Sequence, residues 1–255
     1  MFFESHAHYD DRRFDADRDE VLASLPASGI SRVVNVGSTG RTSRASLILA
    51  EKYDFVYASV GVHPHEAGSC SESLIGELLE YARHPKAVAY GEIGLDYFYD
   101  FADREVQRFW FARQLKAAEQ AGLPVIIHSR DAAAETFGII MDCGVRRGVV
   151  HCYSGSVETA LAYVEMGFYI GVGGIVTFDK ARKLPEVVAR LPLGKILIET
   201  DCPYLAPAPF RGKRNTSANL VYIAQKIAEI KRVTVQEVAE ATYENACVVY
   251  GVGRK

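Results

Sequence analysis

Six residues of types that bind divalent metals are the chemically most informative feature of the chain. They are His6, His8, Glu92, His128, His151 and Asp201. Each lies just past a short apolar run of the kind that forms a buried β-strand. Side chains at the same end of successive strands converge if the strands form one parallel barrel. A set of four imidazoles and two carboxylates at one place predicts a hydrolytic centre with two metal ions.

The spacing of the first three candidates supports metal binding. His6 and His8 are two residues apart, so a regular strand points both imidazoles to one face, where they can share a metal. Glu92 follows the apolar run 87–90. Each of its two carboxylate oxygens can bind one metal ion, so Glu92 is predicted to bridge the two ions and to be a catalytic residue. The competing interpretations are a pair of surface histidines and a buried glutamate that is satisfied by hydrogen bonds.

Carboxylates near other strand ends are expected to have different roles. Asp201 is predicted to bind one metal and to take a proton from the attacking water. Metal coordination makes such a water acidic enough to act as a nucleophile near neutral pH. Asp96 is expected to fix the loop after the fourth strand, and Glu199 is expected to be a buried structural partner.

Five further residues are predicted to contact substrate. They are His63, His65, Arg130, Arg211 and Arg214, and the alternative role for the two histidines is to orient metal ligands. Arg130 follows His128 by two residues and is expected either to meet a phosphate or to pair with Asp131. The basic run 211–214 is predicted to bind phosphate, the alternative being a solvated surface loop. The aromatic run 97–101 is expected either to stack bases of a single strand or to pack as core or lid.

The elements that must position these residues alternate between strand and helix. Predicted strands begin near residues 2, 32, 56, 87, 124, 148, 168 and 195, and predicted helices cover about 17–28, 41–53, 71–83, 103–121, 131–142, 156–166, 179–190, 217–231 and 234–250. The strand runs are nearly continuously apolar, as is typical of parallel strands buried on both faces. We therefore predict an α/β protein, a single TIM (β/α)8 barrel with parallel strands and an extra C-terminal helix, in one domain over residues 1–255.

Length, charge and cysteine usage limit the classes of function. The chain has 255 residues, and a typical barrel has roughly 250. A net charge of −3 argues against a protein that coats nucleic acid, but allows an enzyme that grips one strand end. The five scattered cysteines include no Cys-x-x-Cys pair, which predicts reduced thiols in a cytoplasmic protein. No signal peptide and no membrane-spanning run are expected.

In the order of its motifs the chain resembles the TatD family of metal-dependent deoxyribonucleases, in the amidohydrolase-like group of TIM barrels. The motifs are His6-Ala7-His8, Gly61-Val62-His63-Pro64-His65, Gly91-Glu92-Ile93-Gly94-Leu95-Asp96-Tyr97, His128-Ser129-Arg130-Asp131-Ala132, His151-Cys152-Tyr153-Ser154-Gly155, Glu199-Thr200-Asp201-Cys202-Pro203-Tyr204-Leu205 and Arg211-Gly212-Lys213-Arg214-Asn215. Each motif alone is weak evidence for the family, but the order of all the motifs together is highly specific for it. The resemblance covers almost the whole chain.

The resemblance implies a ligand set, a reaction and a partner. His6, His8, Glu92 and Asp201 would hold one metal, and Glu92, His128 and His151 would hold the second. The implied reaction is hydrolysis of a phosphodiester, often by removing nucleotides from a DNA 3′ end, so the expected partner is DNA that is single-stranded or has a free 3′ end. Histidine-rich sites suit zinc and other transition ions, whereas magnesium prefers oxygen, so Mg, Mn and Zn all stay candidates. No membrane and no obligate protein partner are expected.

Two departures from the family pattern bear on this expectation. The chain has Glu4-Ser5 where the family usually shows Asp-Thr, and Asn215-Thr216-Ser217 where it usually shows Asn-Glu-Pro. Loss of a glutamate that supports a ligand would weaken metal binding or shift specificity. The alternative function on the same barrel is metal-dependent hydrolysis of a small amide, ester or phosphoester. A non-catalytic barrel that binds nucleic acid or a protein is the rival from another class, and the complete ligand set argues against it.

Overall fold

The computed structural model describes residues 1–253 of the chain, so Arg254 and Lys255 of the predicted domain lie outside the described residues. These residues form two compact units. Unit 1 comprises 1–34, 152–165 and the chain from Tyr169 onward, and unit 2 comprises 35–151 and 166–168. The single domain inferred from the sequence stays a prediction.

Strands and helices alternate along the described chain as the sequence predicts. The strands are Phe2–Ala7 (β1), Ile30–Val36 (β2), Val56–Val60 (β3), Ala87–Asp96 (β4), Val125–Arg130 (β5), Gly148–Val150 (β6), Tyr169–Val172 (β7) and Ile196–Ile198 (β8). The α-helices are Arg18–Ser24 (α1), Gly40–Lys52 (α2), Glu72–Tyr81 (α3), Arg104–Ala121 (α4), Ala133–Asp142 (α5), Val157–Glu165 (α6), Lys183–Arg190 (α7), Leu220–Lys231 (α8) and Val235–Tyr250 (α9).

The pairing of the strands follows their order in the chain. The sheet runs from β1 to β8 without a crossover between neighbours. The pairs β3–β4, β4–β5, β5–β6 and β7–β8 are parallel. A parallel bridge between Ala7 and Cys202 also joins the end of β1 to the chain just after β8. This is the pairing that a TIM barrel requires of its first and last strands.

Three ligand-bearing strands are longer than the sequence predicts. His6, Glu92 and His128 lie inside β1, β4 and β5, so the prediction that each ligand lies past its strand is wrong for these three. Parallel pairing with β5 carries β4 on to Asp96, which lies opposite Arg130. Polar residues form the same backbone hydrogen bonds as apolar residues. A strand can therefore continue after its apolar run has ended.

Glycine allows β4 to approach its neighbours closely on both sides of Glu92. A Cβ atom on Gly94 would overlap the carbonyl group of His128, and its φ of +149° is one that other residues rarely adopt. A Cβ atom on Gly61 would lie 2.8 Å from the carbonyl carbon of Gly91. The Gly-Glu-Ile-Gly spacing therefore brings the backbones that carry Glu92 and His128 side by side.

Helix ends agree with local sequence signals. Thr234 and Glu237 form a capping box at the start of α9, with reciprocal side-chain and backbone hydrogen bonds. The carboxylate of Asp103 accepts from two amides at the start of α4, and the left-handed Gly122 ends this helix. The five cysteines are free thiols, as predicted. Among the described residues, no helix is long and apolar enough to cross a membrane.

Candidate metal centre

The first group of ligand atoms lies in unit 1 and consists of His6, His8 and Asp201, here called the Asp201 cluster. The Nε2 atoms of the two histidines are 3.1 Å apart. Oδ1 of Asp201 lies 3.3 Å from Nε2 of His8 and 3.8 Å from Nε2 of His6. Two imidazole nitrogens and a carboxylate oxygen therefore converge, as metal ligands do.

The backbone around Asp201 is held in an uncommon conformation by β1. Asp201 has a left-handed φ of 54°. Its amide donates to the carbonyl of His6 at 3.0 Å, and the amide of His8 donates to the carbonyl of Cys202 at 2.8 Å. Such conformations cluster at functional sites, where the surrounding structure holds them.

Glu4 links β1 to the chain just after β8 through hydrogen bonds next to the Asp201 cluster. Its buried carboxylate accepts from the amide of Thr200 at 2.8 Å and from the amide of His6 at 3.2 Å. Burial raises the pKa of Glu4 to about 8, although hydrogen bonds from Thr200, His6 and Ser217 lower it in part. Glu4 thus fixes the backbone of the predicted ligand His6 and of Thr200, which precedes the predicted ligand Asp201.

The segment Asn215-Thr216-Ser217, where the chain departs from the family pattern, forms hydrogen bonds with neutral groups. The buried Asn215 donates to the carbonyls of Thr200 at 3.0 Å and Tyr204 at 2.8 Å. The hydroxyl of Tyr9 donates to that of Ser217 at 2.7 Å. This region therefore supports the backbone around Asp201 without a glutamate at residue 216.

The second group of ligand atoms lies in unit 2 and consists of Glu92, His63, His128 and His151, here called the Glu92 cluster. Oε1 of Glu92 lies 2.8 Å from Nδ1 of His128. It lies 3.7 Å from Nε2 of His63 and 3.7 Å from Nε2 of His151. One carboxylate oxygen is thus surrounded by three imidazole nitrogens. His63, predicted to contact substrate, lies in this cluster.

Two histidines of the Glu92 cluster have pKa values shifted in opposite directions. Burial and the nearby His128 lower the pKa of His63 well below its ordinary value, so His63 is neutral, the form that binds metals. Burial also lowers the pKa of His128, but hydrogen bonds with Asp96 and Glu92 outweigh burial and leave it raised. His128 is thus the histidine that two carboxylates hold.

Asp96 is the buried carboxylate that orients the histidines of unit 2. Its Oδ2 accepts from Nε2 of His128 at 3.0 Å and from Nε2 of His65 at 2.9 Å. Burial raises the pKa of Asp96, but these hydrogen bonds and one from the Tyr99 amide lower it by more than burial raises it. The net pKa of Asp96 is therefore well below its ordinary value. A carboxylate bonded to the far nitrogen of a ligand histidine fixes its tautomer, leaving Nδ1 of His128 toward Glu92.

We expect Asp96→Asn to weaken metal binding by about 10- to 100-fold. The amide group of the new side chain would donate to Nε2 of His128, which moves the ring proton to Nδ1, the atom that faces Glu92. Titration of the metal-free protein with Zn²⁺ against a competing chelator measures the effect. Asp103→Asn is the matched control, because asparagine caps a helix as well as aspartate does. Equal Zn²⁺ affinity in both variants would rule out the orienting role.

Glu199 lies in the interior of unit 1, as expected of a structural partner. Its Oε1 accepts from the amide of Cys152 at 2.5 Å. A Cβ atom on Gly171 would lie 2.6 Å from its Oε2, so the absence of a side chain there makes room for the carboxylate.

The three arginines predicted to contact substrate have different partners. The guanidinium of Arg130 lies 4.0 Å from the ring centre of Phe98, and no ion pair of Arg130 with Asp131 is found within residues 1–253. Arg211 is exposed and lies 4.2 Å over the Phe178 ring. Arg214 differs, since both of its terminal nitrogens donate to the Asp17 carboxylate at 2.6 and 2.7 Å.

Sequence reasoning missed the surroundings of Tyr204. The guanidinium of Arg13 lies 3.9 Å over its ring, and the hydroxyl donates to Asp11 at 2.8 Å. The ring of His8 lies edge-on at 6.1 Å, so Tyr204 lines the Asp201 cluster. The position of Tyr204 in the motif after Asp201 was the available signal, whereas nothing in the sequence singled out Arg13.

The donor sets of both clusters fit divalent metal ions. In the Glu92 cluster, His63, Glu92 and His128 each offer a ligand atom, and these atoms all lie within 4.8 Å of one another. In the Asp201 cluster, imidazole nitrogens approach each other to 3.1 Å, where a shared cation can replace their mutual contact. Mixed imidazole and carboxylate ligands are typical of zinc, manganese and iron sites.

Known proteins match the chain over nearly its whole length. The family model described as TatD related DNase matches residues 3–251. The chain is 41% identical to the uncharacterized metal-dependent hydrolase YabD of Bacillus subtilis strain 168, with coverage of 96% of this chain and 97% of the relative. It is 33% identical to the 3′-5′ ssDNA/RNA exonuclease TatD of Shigella flexneri serotype 5b, with coverage of 94% and 95%.

A solved structure of a relative has the same fold as this chain. The crystal structure of YJJV, a TatD homolog from Escherichia coli K12, matches with a TM-score of 0.94 and 33% identity, and the match covers 99% of this chain and 98% of that one. The fold is therefore the predicted TIM barrel of parallel strands with intervening helices. With the family model spanning residues 3–251 as well, the chain belongs to the TatD-related DNase family of metal-dependent hydrolases.

Proposed function

We propose that the protein is a divalent-metal-dependent deoxyribonuclease that removes nucleotides from the 3′ end of single-stranded DNA. The observation that carries this proposal is the convergence of three imidazole nitrogens on one oxygen of Glu92, in a chain of the TatD family. The name of the Shigella relative as a 3′-5′ exonuclease adds support. The five free cysteines support a cytoplasmic location as part of the same proposal.

The proposal assigns two metal ions to the candidate ligands. By resemblance to the family, His6, His8 and Asp201 would hold one ion and His128 and His151 would hold the other, with Glu92 as a ligand of each. The ions are Mg²⁺, Mn²⁺ or Zn²⁺. When bound, divalent cations acidify a coordinated water and neutralise charge on a phosphoryl group.

The chain's own residues contribute proton transfer and charge. Asp201 accepts the proton that the attacking water loses as its oxygen bonds to phosphorus. The bond between phosphorus and the 3′-oxygen then breaks, and this oxygen is protonated from solvent. Asp96 holds the imidazole of His128 in one orientation throughout. Arg130 and Arg211 pair with phosphates next to the one that reacts and so hold the strand in place.

The basic run is proposed to grip the strand through Arg211 rather than Arg214. Arg211 is exposed, and no carboxylate partner of it is found in the described part of the chain. Arg214 would first have to leave Asp17, with which it forms two hydrogen bonds. His63 and His65 complete the proposed substrate contacts, and His65 is fixed by Asp96 at 2.9 Å.

We expect Arg211→Ala to raise KM for a single-stranded oligonucleotide and to lower the slope of log KM against log salt concentration by about 0.7. One lost phosphate contact releases one counterion fewer on binding, so the loss grows as salt is lowered. Arg214→Ala is the matched comparison and should instead cost up to about 1 kcal/mol of stability through the lost pair with Asp17. Equal salt slopes in the wild type and Arg211→Ala would show that Arg211 contacts no phosphate.

A substrate comparison tests the proposed function against its rival. The protein, loaded with one metal at a time, is given a single-stranded oligonucleotide, a small phosphodiester, an ester and an amide. We expect kcat/KM to be highest for the oligonucleotide, because Arg130 and Arg211 can contact phosphates beyond the one that reacts. A higher kcat/KM for a small amide or ester would favour the alternative hydrolase, and retention of DNA without turnover would favour a binding protein.

A further inference from the structure

Three aromatic side chains beside the Glu92 cluster are exposed to solvent. Phe98, Tyr99 and Phe101 have 55%, 47% and 69% of their surfaces accessible, and we call them the aromatic segment. They follow β4 directly, where soluble proteins usually place polar loop residues. A contiguous exposed apolar patch commonly marks a binding site. The core packing considered from the sequence does not describe rings this exposed.

The aromatic segment is fastened to the proposed catalytic residues. Oδ1 of Asp96 accepts from the amides of Phe98 at 3.0 Å and Tyr99 at 2.9 Å, while its Oδ2 accepts from His65 and His128. The His65 ring then lies edge-on to Phe101, with 4.8 Å between ring centres. One buried carboxylate thus fixes both a proposed metal ligand and the backbone of the segment.

The rings of the segment form a platform with an open face. Tyr99 and Phe101 are stacked, with ring centres 5.3 Å apart and an angle of 24° between the planes. His65 contacts Phe101 at an angle of 69° between the ring planes, and Phe101 still has 69% of its surface accessible. A further planar ring can therefore extend the stack in an offset arrangement, the geometry that aromatic pairs favour.

A cation lies against the same rings. The guanidinium of Arg130 is 4.0 Å from the ring centre of Phe98 and 4.7 Å from that of Tyr99. Within the described residues 1–253, Arg130 forms no ion pair with a carboxylate. The segment thus combines flat π surfaces with a positive charge that an anion from outside the chain can neutralise.

We propose that the aromatic segment stacks a nucleobase of the single strand whose phosphate reacts at the Glu92 cluster, and that Arg130 neutralises the phosphate next to that base. This inference rests on the proposed function and names the part of the substrate that is held. A nucleotide matches both features, since its base covers a ring and its phosphate pairs with the guanidinium. An apolar side chain of a partner protein would cover the rings but leave Arg130 without an anion.

The test compares two oligonucleotides that differ only in the presence of bases. Both have the same phosphodiester backbone, and one carries tetrahydrofuran abasic residues at its last two 3′ positions. We expect wild-type kcat/KM to be at least about 10-fold higher on the base-bearing strand, within the range measured for stacking of one base. In the double variant Tyr99→Leu, Phe101→Leu, this ratio should fall to about 1, because leucine keeps apolar bulk but has no π face.

Two further variants separate stacking from a structural effect. Phe101→Trp should keep the ratio, since tryptophan offers a larger π face. Phe109→Leu, at an exposed ring on α4 that packs on Trp110, should leave the ratio and the rate unchanged. A double variant that loses activity on both strands equally would overturn the proposal, because the rings would then act on the catalytic residues and not on a base.

Failure of the inference is distinguishable from failure of the proposed function. If the wild type cleaves both strands at the same rate, the nuclease assignment stands and base stacking is wrong. If the wild type cleaves neither strand with any of the three metals, the proposed function is wrong and the inference falls with it. The inference is supported only by a base-dependent rate in the wild type that the double variant loses and Phe101→Trp keeps.

Discussion

Asp201→Asn is expected to lower the rate of single-stranded DNA hydrolysis by about 10²- to 10⁴-fold, the range for loss of a general base. Asparagine keeps one oxygen near His8, but its amide nitrogen cannot accept the proton that the attacking water loses. The fold should be unchanged, because asparagine tolerates the left-handed φ of 54° at this residue. Initial rates on an end-labelled oligonucleotide and a thermal melting curve measure both effects.

Asp131→Asn is the matched control for this variant. Asp131 is exposed, directly follows β5 and also has a φ of 54°, so the same substitution is made on the same backbone conformation. The control should retain the wild-type rate. If Asp201→Asn also hydrolyses DNA at the wild-type rate with unchanged melting, Asp201 has no part in the reaction.

His128→Ala is expected to lower the rate by at least about 10³-fold, because one metal contributes several kcal/mol of transition-state stabilisation and each 1.4 kcal/mol is a factor of ten. The substitution removes the imidazole whose Nδ1 lies 2.8 Å from Glu92 and whose Nε2 lies 3.0 Å from Asp96. Two buried carboxylates would then lose the imidazole that both of them contact. Metal content by atomic emission should fall by about one ion per chain alongside the rate.

His84→Ala controls for the loss of an imidazole in the same unit. His84 pairs with Glu51 at 3.2 Å and takes no part in either cluster. Its variant should keep both the rate and the metal content of the wild type. Full metal content in His128→Ala would show that this histidine is no ligand, and wild-type rates in both His128→Ala and Asp201→Asn would refute the assigned site.

The course of the chain could be predicted because local patterns determine it. Apolar runs mark the cores of the strands, and the capping box at Thr234 fixes where α9 begins. The candidate ligands were found for a related reason, since parallel strands present their carboxyl ends together and ligands recur there. His6 and Asp201 could therefore be associated despite their separation in sequence.

The remaining features depend on contacts that no local pattern encodes. The strands that carry Glu92 and His128 continue past their apolar runs, because pairing with a neighbour extends them. Arg214 is engaged by Asp17, which lies 197 residues earlier in the chain. Asp96 was expected to fix its loop and does so through the amides of Phe98 and Tyr99, but its hold on two histidines follows only from the side-chain positions.

The most direct test of the proposed function is to incubate the purified protein with single-stranded DNA labelled at the 3′ end or the 5′ end. Mg²⁺, Mn²⁺ and Zn²⁺ are added separately, with a chelator as the control. We expect metal-dependent shortening from the 3′ end, seen as early release of the 3′ label and a ladder of 5′-labelled products, and no cleavage with the chelator. Absence of cleavage with every metal, from protein shown to carry two ions per chain, would contradict it.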